Sequence, residues 1–215
     1  MEKRTILFLL FLSIILPATA SATDSISTVY KSGEFITYSQ AWVAASDSVS
    51  NQVTDDFDYQ MHYNLDALFG WALKGLNLRK EKNELMVFYF KSTTYDKDTR
   101  IIRGVGDVIV PGVITFPNIK VDSRLTDRRF TNGKRAINLN LLYSDGFLKN
   151  MSSTFSVIPK KDKTTLITLE THIRFGWFFN IFITKHRFRQ IMEWRLKRFV
   201  HNIKIEAERR EKSVS

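Results

Sequence analysis

The chain has 215 residues, a formal net charge of +10, 44% hydrophobic and 13% aromatic residues, and no cysteine. This composition excludes an intrinsically disordered chain, a disulfide-stapled scaffold and anchoring through a lipidated N-terminal cysteine. The length is that of one domain, with a core large enough to bury most of its apolar surface.

At the start, Glu2, Lys3 and Arg4 precede an apolar run from Ile6 to Leu16 that Pro17 ends. Small residues follow, with an A-x-A pattern at Ala20 and Ala22. Charged start, short apolar run and small-residue site read as a secretory signal peptide over residues 1–22, cut after Ala22. The run is about half the ~20 residues a membrane span needs. Export to the periplasm or the exterior is therefore expected, and nucleic acid is a poor partner for the surplus charge. Cleavage removes Lys3, Arg4 and Glu2, a net +1, and leaves 193 residues with a net charge of +9. Residues 185–212 alone hold six Arg, four Lys and four Glu. That excess suits an anionic membrane surface or acidic ligands, or it marks a solvated helix face.

Residues 23–33 are rich in Ser and Thr and read as a flexible leader. "EFITYSQAWVAA", 34–45, reads as a first strand. "SDSVSNQVTDD", 46–56, is polar and ends in Asp55 and Asp56, natural helix N-caps. Phe57, Met61, Leu65, Leu68, Phe69, Ala72, Leu73 and Leu76 then recur at helical spacing, so the pattern predicts an amphipathic helix over 57–76, broken near Gly70. From there the period falls to two. Strands are predicted over 84–93, 100–110, 112–125, 135–144, 147–159 and 164–175, separated by turns such as Asn132–Gly133 and Asp145–Gly146. Pro111, Pro117 and Pro159 are expected at strand ends or edges, and the glycines of "GVGD", 104–107, at a bulge or bend. The sum is an antiparallel meander.

Residues 185–211 contain neither Gly nor Pro. Phe188, Met192, Leu196, Phe199, Val200, Ile203 and Ala207 fall in one arc about 120° wide at helical pitch, the stripe of a helix docked on a core. Trp194 and Ile205 lie off it. Just before this helix, Phe175, Trp177, Phe178, Phe179, Ile181 and Phe182 form an aromatic knot. Such a knot packs as core, caps a cavity mouth or touches a membrane.

This order of elements, with the closing pattern "TLETHIRFGWFFNIFITKHRFRQIMEWRLKRFVHNIKIEAE", resembles the START-like (helix-grip, SRPBCC or polyketide cyclase-like) superfamily over roughly residues 34–211. The resemblance implies one α+β domain over 34–215. An antiparallel β-meander would curve around the long C-terminal helix, with an additional N-terminal helical segment. It also implies an apolar cavity between sheet and helix, holding a lipid or other hydrophobic small molecule. The aromatic connection would lie near the pocket entrance. Trp177, Phe178, Phe179 and Phe199 are accordingly the expected ligand contacts. Arg195 beside the stripe either snorkels to the surface or holds an anionic head group at the rim.

No catalytic motif of that superfamily is matched residue by residue, so a non-catalytic binding protein is expected. No cofactor or metal is expected: His62, His172, His186 and His201 occupy four segments without ligand spacing. Two alternatives stay open. Glu170, His172 and Arg174 alternate on one strand face, which either meets solvent or lines a pocket as acid, base and anion holder of a cyclase- or hydrolase-like enzyme. A peripheral protein on an anionic membrane is the other.

Overall fold

Strand β2, Glu34–Val43, buries every second side chain from Phe35 to Val43 and half-exposes the rest. That alternation fits a sheet with one face on the core. The computed structural model describes residues 24–76 and 87–214. The signal-peptide reading of 1–22 and residues 84–86 of the strand expected over 84–93 lie outside the described residues.

The described elements run β1 (Ser25–Lys31), β2, α1 (Asp47–Tyr63), α2 (Leu65–Gly70), β3 (Val87–Asp96), β4 (Ile101–Val110), β5 (Ile114–Arg129), β6 (Arg135–Ser144), β7 (Leu148–Pro159), β8 (Thr165–Phe175), a 3-10 turn (Phe179–Phe182) and α3 (Lys185–Val214). The strands form one antiparallel sheet in the order β1-β2-β8-β7-β6-β5-β4-β3. Consecutive strands from β3 to β8 are neighbours, so the expected meander is present. β8 then pairs with β2 and hands the chain to α3.

Several boundaries differ from expectation for local reasons. Of the leader expected over 23–33, residues 25–31 instead form edge strand β1. Ser32 and Gly33 both take positive φ, 52° and 81°. A two-residue turn with both φ values positive matches the twist of a hairpin. The polar content that suggested disorder instead pairs inward, with Thr28 Oγ1 and Thr37 Oγ1 3.0 Å apart. The first helix starts ten residues earlier than expected. Ser46, not Asp55 or Asp56, is its N-cap, and its Oγ accepts from the Val49 N–H at 3.4 Å. Val49 and Val53 are its buried side, in step with Phe57 four residues on. The interruption comes at Asn64, whose Oδ1 accepts from the Ala67 N–H and opens α2. Gly70 ends α2 rather than breaking one long helix.

β5 is longer than expected, and Pro117 sits inside it. Pairing with β4 shifts between Gly106 and Val108 opposite that proline, so the ladder does not need its missing N–H. Of the "GVGD" glycines Gly106 therefore lies at a bulge, while Gly104 pairs regularly with Thr93 and Val121. A further constraint lies at the exit of β8. A side chain on Gly176 would come within 1.8 Å of the Gly146 carbonyl oxygen. Only glycine lets the β6–β7 turn approach the chain this closely, and it fixes the path of the aromatic connection.

On α3, Phe188, Val200, Ile203 and Ala207 are buried, and Met192, Leu196 and Phe199 are half-buried. The main core joins Val200, Ile203 and Ala207 to Ala41 and Val43 of β2, Ile167 and Leu169 of β8, and Val49 and Val53 of α1. The helix is clamped at its far end. Glu211 accepts from the Ser46 N–H and hydroxyl at 3.1 and 2.8 Å, and Glu208 from the Ala44 N–H at 3.0 Å. An antiparallel sheet thus wraps a long C-terminal helix, with helical segments inserted after β2: a helix-grip arrangement.

Candidate functional site

Between sheet, α1 and α3 lies a cavity of about 180 Å³. The inward positions of four strands form its floor: Leu125 of β5, Ile137 and Leu139 of β6, Ser153 and Phe155 of β7, and Leu169 of β8. Phe199 and Ile203 of α3 and Phe57 of α1 close it from above. The Phe199 ring stands edge-on to Phe57 at 5.4 Å and to Phe155 at 6.4 Å. Three polar side chains share the lining: Thr54, Asp58 and Ser153. The Thr54 hydroxyl is spent on the Ser50 carbonyl at 2.8 Å. Asp58 keeps Oδ1 out of solvent at the cavity wall.

The predicted contact residues divide. Phe199 lines the cavity. Arg195, one turn earlier, is half-buried and outside the lining. Trp177, Phe178 and Phe179 also lie outside it, so the described cavity has no wall from the aromatic connection. Phe179 is instead core, 5% exposed, packed on Phe116 at 4.9 Å and Phe147 at 5.3 Å. Trp177 is 81% exposed and Ile181 68%. The knot seals the sheet end around Val108, Phe147 and Phe179, away from the cavity that Phe199 and Ile203 cover. Phe57, Asp58 and Phe155 went unnoticed as site residues. Phe57 was read as the start of a helix when it lies in the third turn of one.

Glu170, His172 and Arg174 occupy the face opposite Ile167 and Leu169. Leu169 faces the cavity, so the row points outward and Glu170 is 48% exposed. The acid, base and anion holder of the enzyme alternative therefore do not line this pocket. Glu170 and His172 instead join Glu34 in a surface relay. His172 Nε2 lies 2.7 Å from Glu170 Oε1, and its Nδ1 lies 3.4 Å from Glu34 Oε2. Glu34 Oε1 accepts from the Asn150 amide at 2.8 Å. The Glu170 carboxylate foremost, with Glu34, holds the His172 imidazolium above its ordinary 6.5 against a smaller cost of burial. Burial pushes Glu34 up, but the Asn150 amide and His172 outweigh it and hold the carboxyl below its usual range.

The signs fix a pH window. Stability from His172 is full below about pH 6.5 and is lost as pH rises through the raised folded value. Stability from Glu34 is present above its ordinary range and is lost as pH falls through the lowered one. The melting temperature of the native chain is thus expected to fall, relative to His172→Gln, as pH rises from about 6 to about 8. Parallel melting curves of the two proteins across that range would remove the relay.

A second hollow, about 390 Å³, runs between β1, β2 and α3. Asp24, Gln40, Trp194, Lys197, Arg198 and His201 line it. It is larger, but an apolar ligand there would have to desolvate charged side chains, which is costly. Among the described residues no group of His, Asp and Glu side chains could hold a metal ion, and no helix is long and apolar enough to cross a membrane.

The chain matches no family model and no curated protein. Solved structures are similar in fold. A norcoclaurine synthase point mutant from Thalictrum flavum, in complex with a transition-state analogue, superposes with a TM-score of 0.47 at 16% identity, covering 86% of this chain and 99% of that one. The Zhui aromatase/cyclase from Streptomyces sp. R1128 gives 0.45 at 14% identity, covering 86% and 96%. A START superfamily protein from Mycobacterium smegmatis gives 0.44 at 13% identity, covering 84% and 99%. At this distance the likeness is one of fold only, and the cavity has to speak for its own chemistry.

Proposed function

We propose that the chain is an exported protein that holds a small hydrophobic ligand under α3 without reacting with it. The observation that carries this reading is the cavity of about 180 Å³ walled by Phe57, Phe155, Phe199, Leu125, Leu139 and Leu169. An apolar cavity of about 150 Å³ stays dry and takes up a benzene-sized molecule. The volume here therefore favours one ring or a single short acyl segment over a two-chain lipid. Ser153 and Asp58 at the wall suit a ligand with one polar end. The acid–base row of β8 lies on the opposite face of the sheet from the cavity, which supports binding without reaction. The charged start, short apolar run and A-x-A pattern of residues 1–22 support export.

One measurement tests both halves. Native mass spectrometry of the protein recovered from the exported fraction is expected to give a chain beginning at Thr23, with a bound or exchangeable apolar molecule. Ser153→Phe, which fills the cavity from its floor, is expected to begin at the same residue, its mass raised only by the substitution, without that molecule. Ser153→Leu is the milder filling, should the larger ring disturb the sheet. A mass that retains Met1 would sink the export reading. Failure of the unaltered protein to retain or take up any single-ring hydrocarbon would sink the ligand reading.

A further inference from the structure

The aromatic connection faces two ways. Phe179 and Ile183 are buried and pin it, while Trp177, Phe178 and Ile181 are turned out, 81%, 36% and 68% exposed. The exposure is built in, because the Gly176–Gly146 approach and the buried Phe179 leave the segment no other path. A second apolar loop lies alongside. The Phe178 ring packs on Phe116 at 5.5 Å, and Phe116 stands at the root of the β4–β5 turn, where Val113 and Ile114 are 64% and 45% exposed. A cluster of exposed large apolar side chains from two adjoining loops marks an interaction surface.

Charge chooses the partner. No acidic residue occurs between Glu170 and Glu193, a stretch holding Arg174, Lys185, Arg187 and Arg189, and none occurs between Asp107 and Asp122. Lys185, His186 and Arg189 are exposed on the first turns of α3, directly behind the apolar tip. The Lys185 ammonium rests over the Tyr30 ring, 4.2 Å from its centroid. Of the acids flanking these loops, Asp107 pairs with Lys91 at 2.7 Å and Glu34 is held by Asn150 and His172; the third is Asp145. It accepts from the Lys120 N–H at 2.9 Å and pairs with the Tyr143 hydroxyl, so its charge is engaged within the β5–β6 corner. Tryptophan prefers the boundary between hydrocarbon and headgroup. Each Lys or Arg held near an anionic surface adds to the attraction.

We propose that Trp177, Ile181 and the β4–β5 turn insert into the outer layer of an anionic lipid bilayer, with Lys185 and Arg189 against its headgroups. The surface is separate from the cavity, so this reading stands or falls independently of the ligand.

Co-sedimentation of the full chain with vesicles decides it. The unaltered protein is expected to pellet with phosphatidylcholine vesicles containing phosphatidylglycerol. It should keep a salt-resistant fraction at about 1 M salt, where the Debye length is about 3 Å and headgroup attraction is screened. Trp177→Ser with Ile181→Ser should weaken binding at least about tenfold and remove the salt-resistant fraction, since two apolar side chains no longer leave water. Both side chains are already exposed, so its melting temperature should hold. Lys185→Gln with Arg189→Gln should lose the salt-sensitive part of the binding and keep the salt-resistant part. Val113→Ser with Ile114→Ser alters the other loop, leaves Phe179 in place and should also lose binding. No pelleting of the unaltered protein with these vesicles would overturn the proposal. Undiminished pelleting of the Trp177/Ile181 variant, or a homodimer that this variant splits, would overturn it as well.

Discussion

Phe199→Asp is expected to remove most of the stability of the fold, and Lys197→Asp, two residues earlier, almost none. Phe199 is held between Phe57 of α1 and Phe155 of β7 and packs against the main core. Cutting a core phenylalanine to alanine costs about 3–5 kcal/mol. One side of this ring borders the cavity, so the lower end of that range applies. The aspartate adds a carboxylate to an apolar wall, next to Asp58, which already borders the cavity. Burying such a charge costs several kcal/mol more, or forces it to take up a proton. The sum is comparable with the whole of a typical domain's stability, about 5–15 kcal/mol. Lys197 is exposed, and its replacement alters only surface charge. Thermal melts of both variants give the answer. Small, equal losses would mean that the apolar stripe of α3 is not what the sheet grips.

The stripe could be read from sequence because a helix without Gly or Pro leaves one periodicity to choose. Its predicted arc and its buried side coincide from Phe188 to Ala207. The strands were legible where one face is wet, as in β6, whose predicted bounds at 135 and 144 match the observed Arg135–Ser144. Legibility failed where burial is achieved by polar atoms. β1 looked like disorder because Thr28 is buried through a hydroxyl contact with Thr37, which no hydropathy pattern encodes. The start of α1 was missed for a related reason. Its first turns bury only Val49, Ser50, Val53 and Thr54, too little apolar surface to outweigh a polar composition. The cavity inherits both failures. Phe199 was identifiable from its own helix, but Phe57, Leu125 and Phe155 converge on it from three distant segments. The aromatic knot was visible as a feature, but its outward half and its buried half alternate within a few residues, and the described cavity takes no wall from it.

The second large effect is expected at Arg135, which no motif singled out. It opens β6 and points inward, with its side chain 3% exposed. Its Nε donates to both oxygens of Asp127 on β5, at 3.1 and 3.2 Å, and its Nη2 donates to Oδ2 at 2.7 Å. The same Nη2 lies 2.7 Å from Asp55 Oδ1, and Nη1 donates to the Asn51 carbonyl, both on α1. One planar guanidinium therefore ties two strands to the helix that covers the cavity. Breaking a buried ion pair by removing one partner costs about 3–5 kcal/mol, because the remaining charge stays desolvated. Arg135→Ala is expected to lose about that much in urea unfolding, with Asp127 left 19% exposed and uncompensated. Arg135→Lys should rescue little, since one ammonium cannot reproduce the forked geometry on Asp127 and still reach α1. Arg135→Met with Asp127→Leu should recover much of the loss, because an apolar pair leaves no buried charge behind. Ligand retention should follow the helix rather than the charge. Asp55 and Phe57 share a turn of α1, so freeing that turn loosens one wall of the cavity. Retention is then expected to drop in Arg135→Ala even under conditions where the chain is still folded. A loss below about 1 kcal/mol, the range of exposed ion pairs, would mean that water reaches the guanidinium and that α1 is held by its apolar packing and its ties to α3.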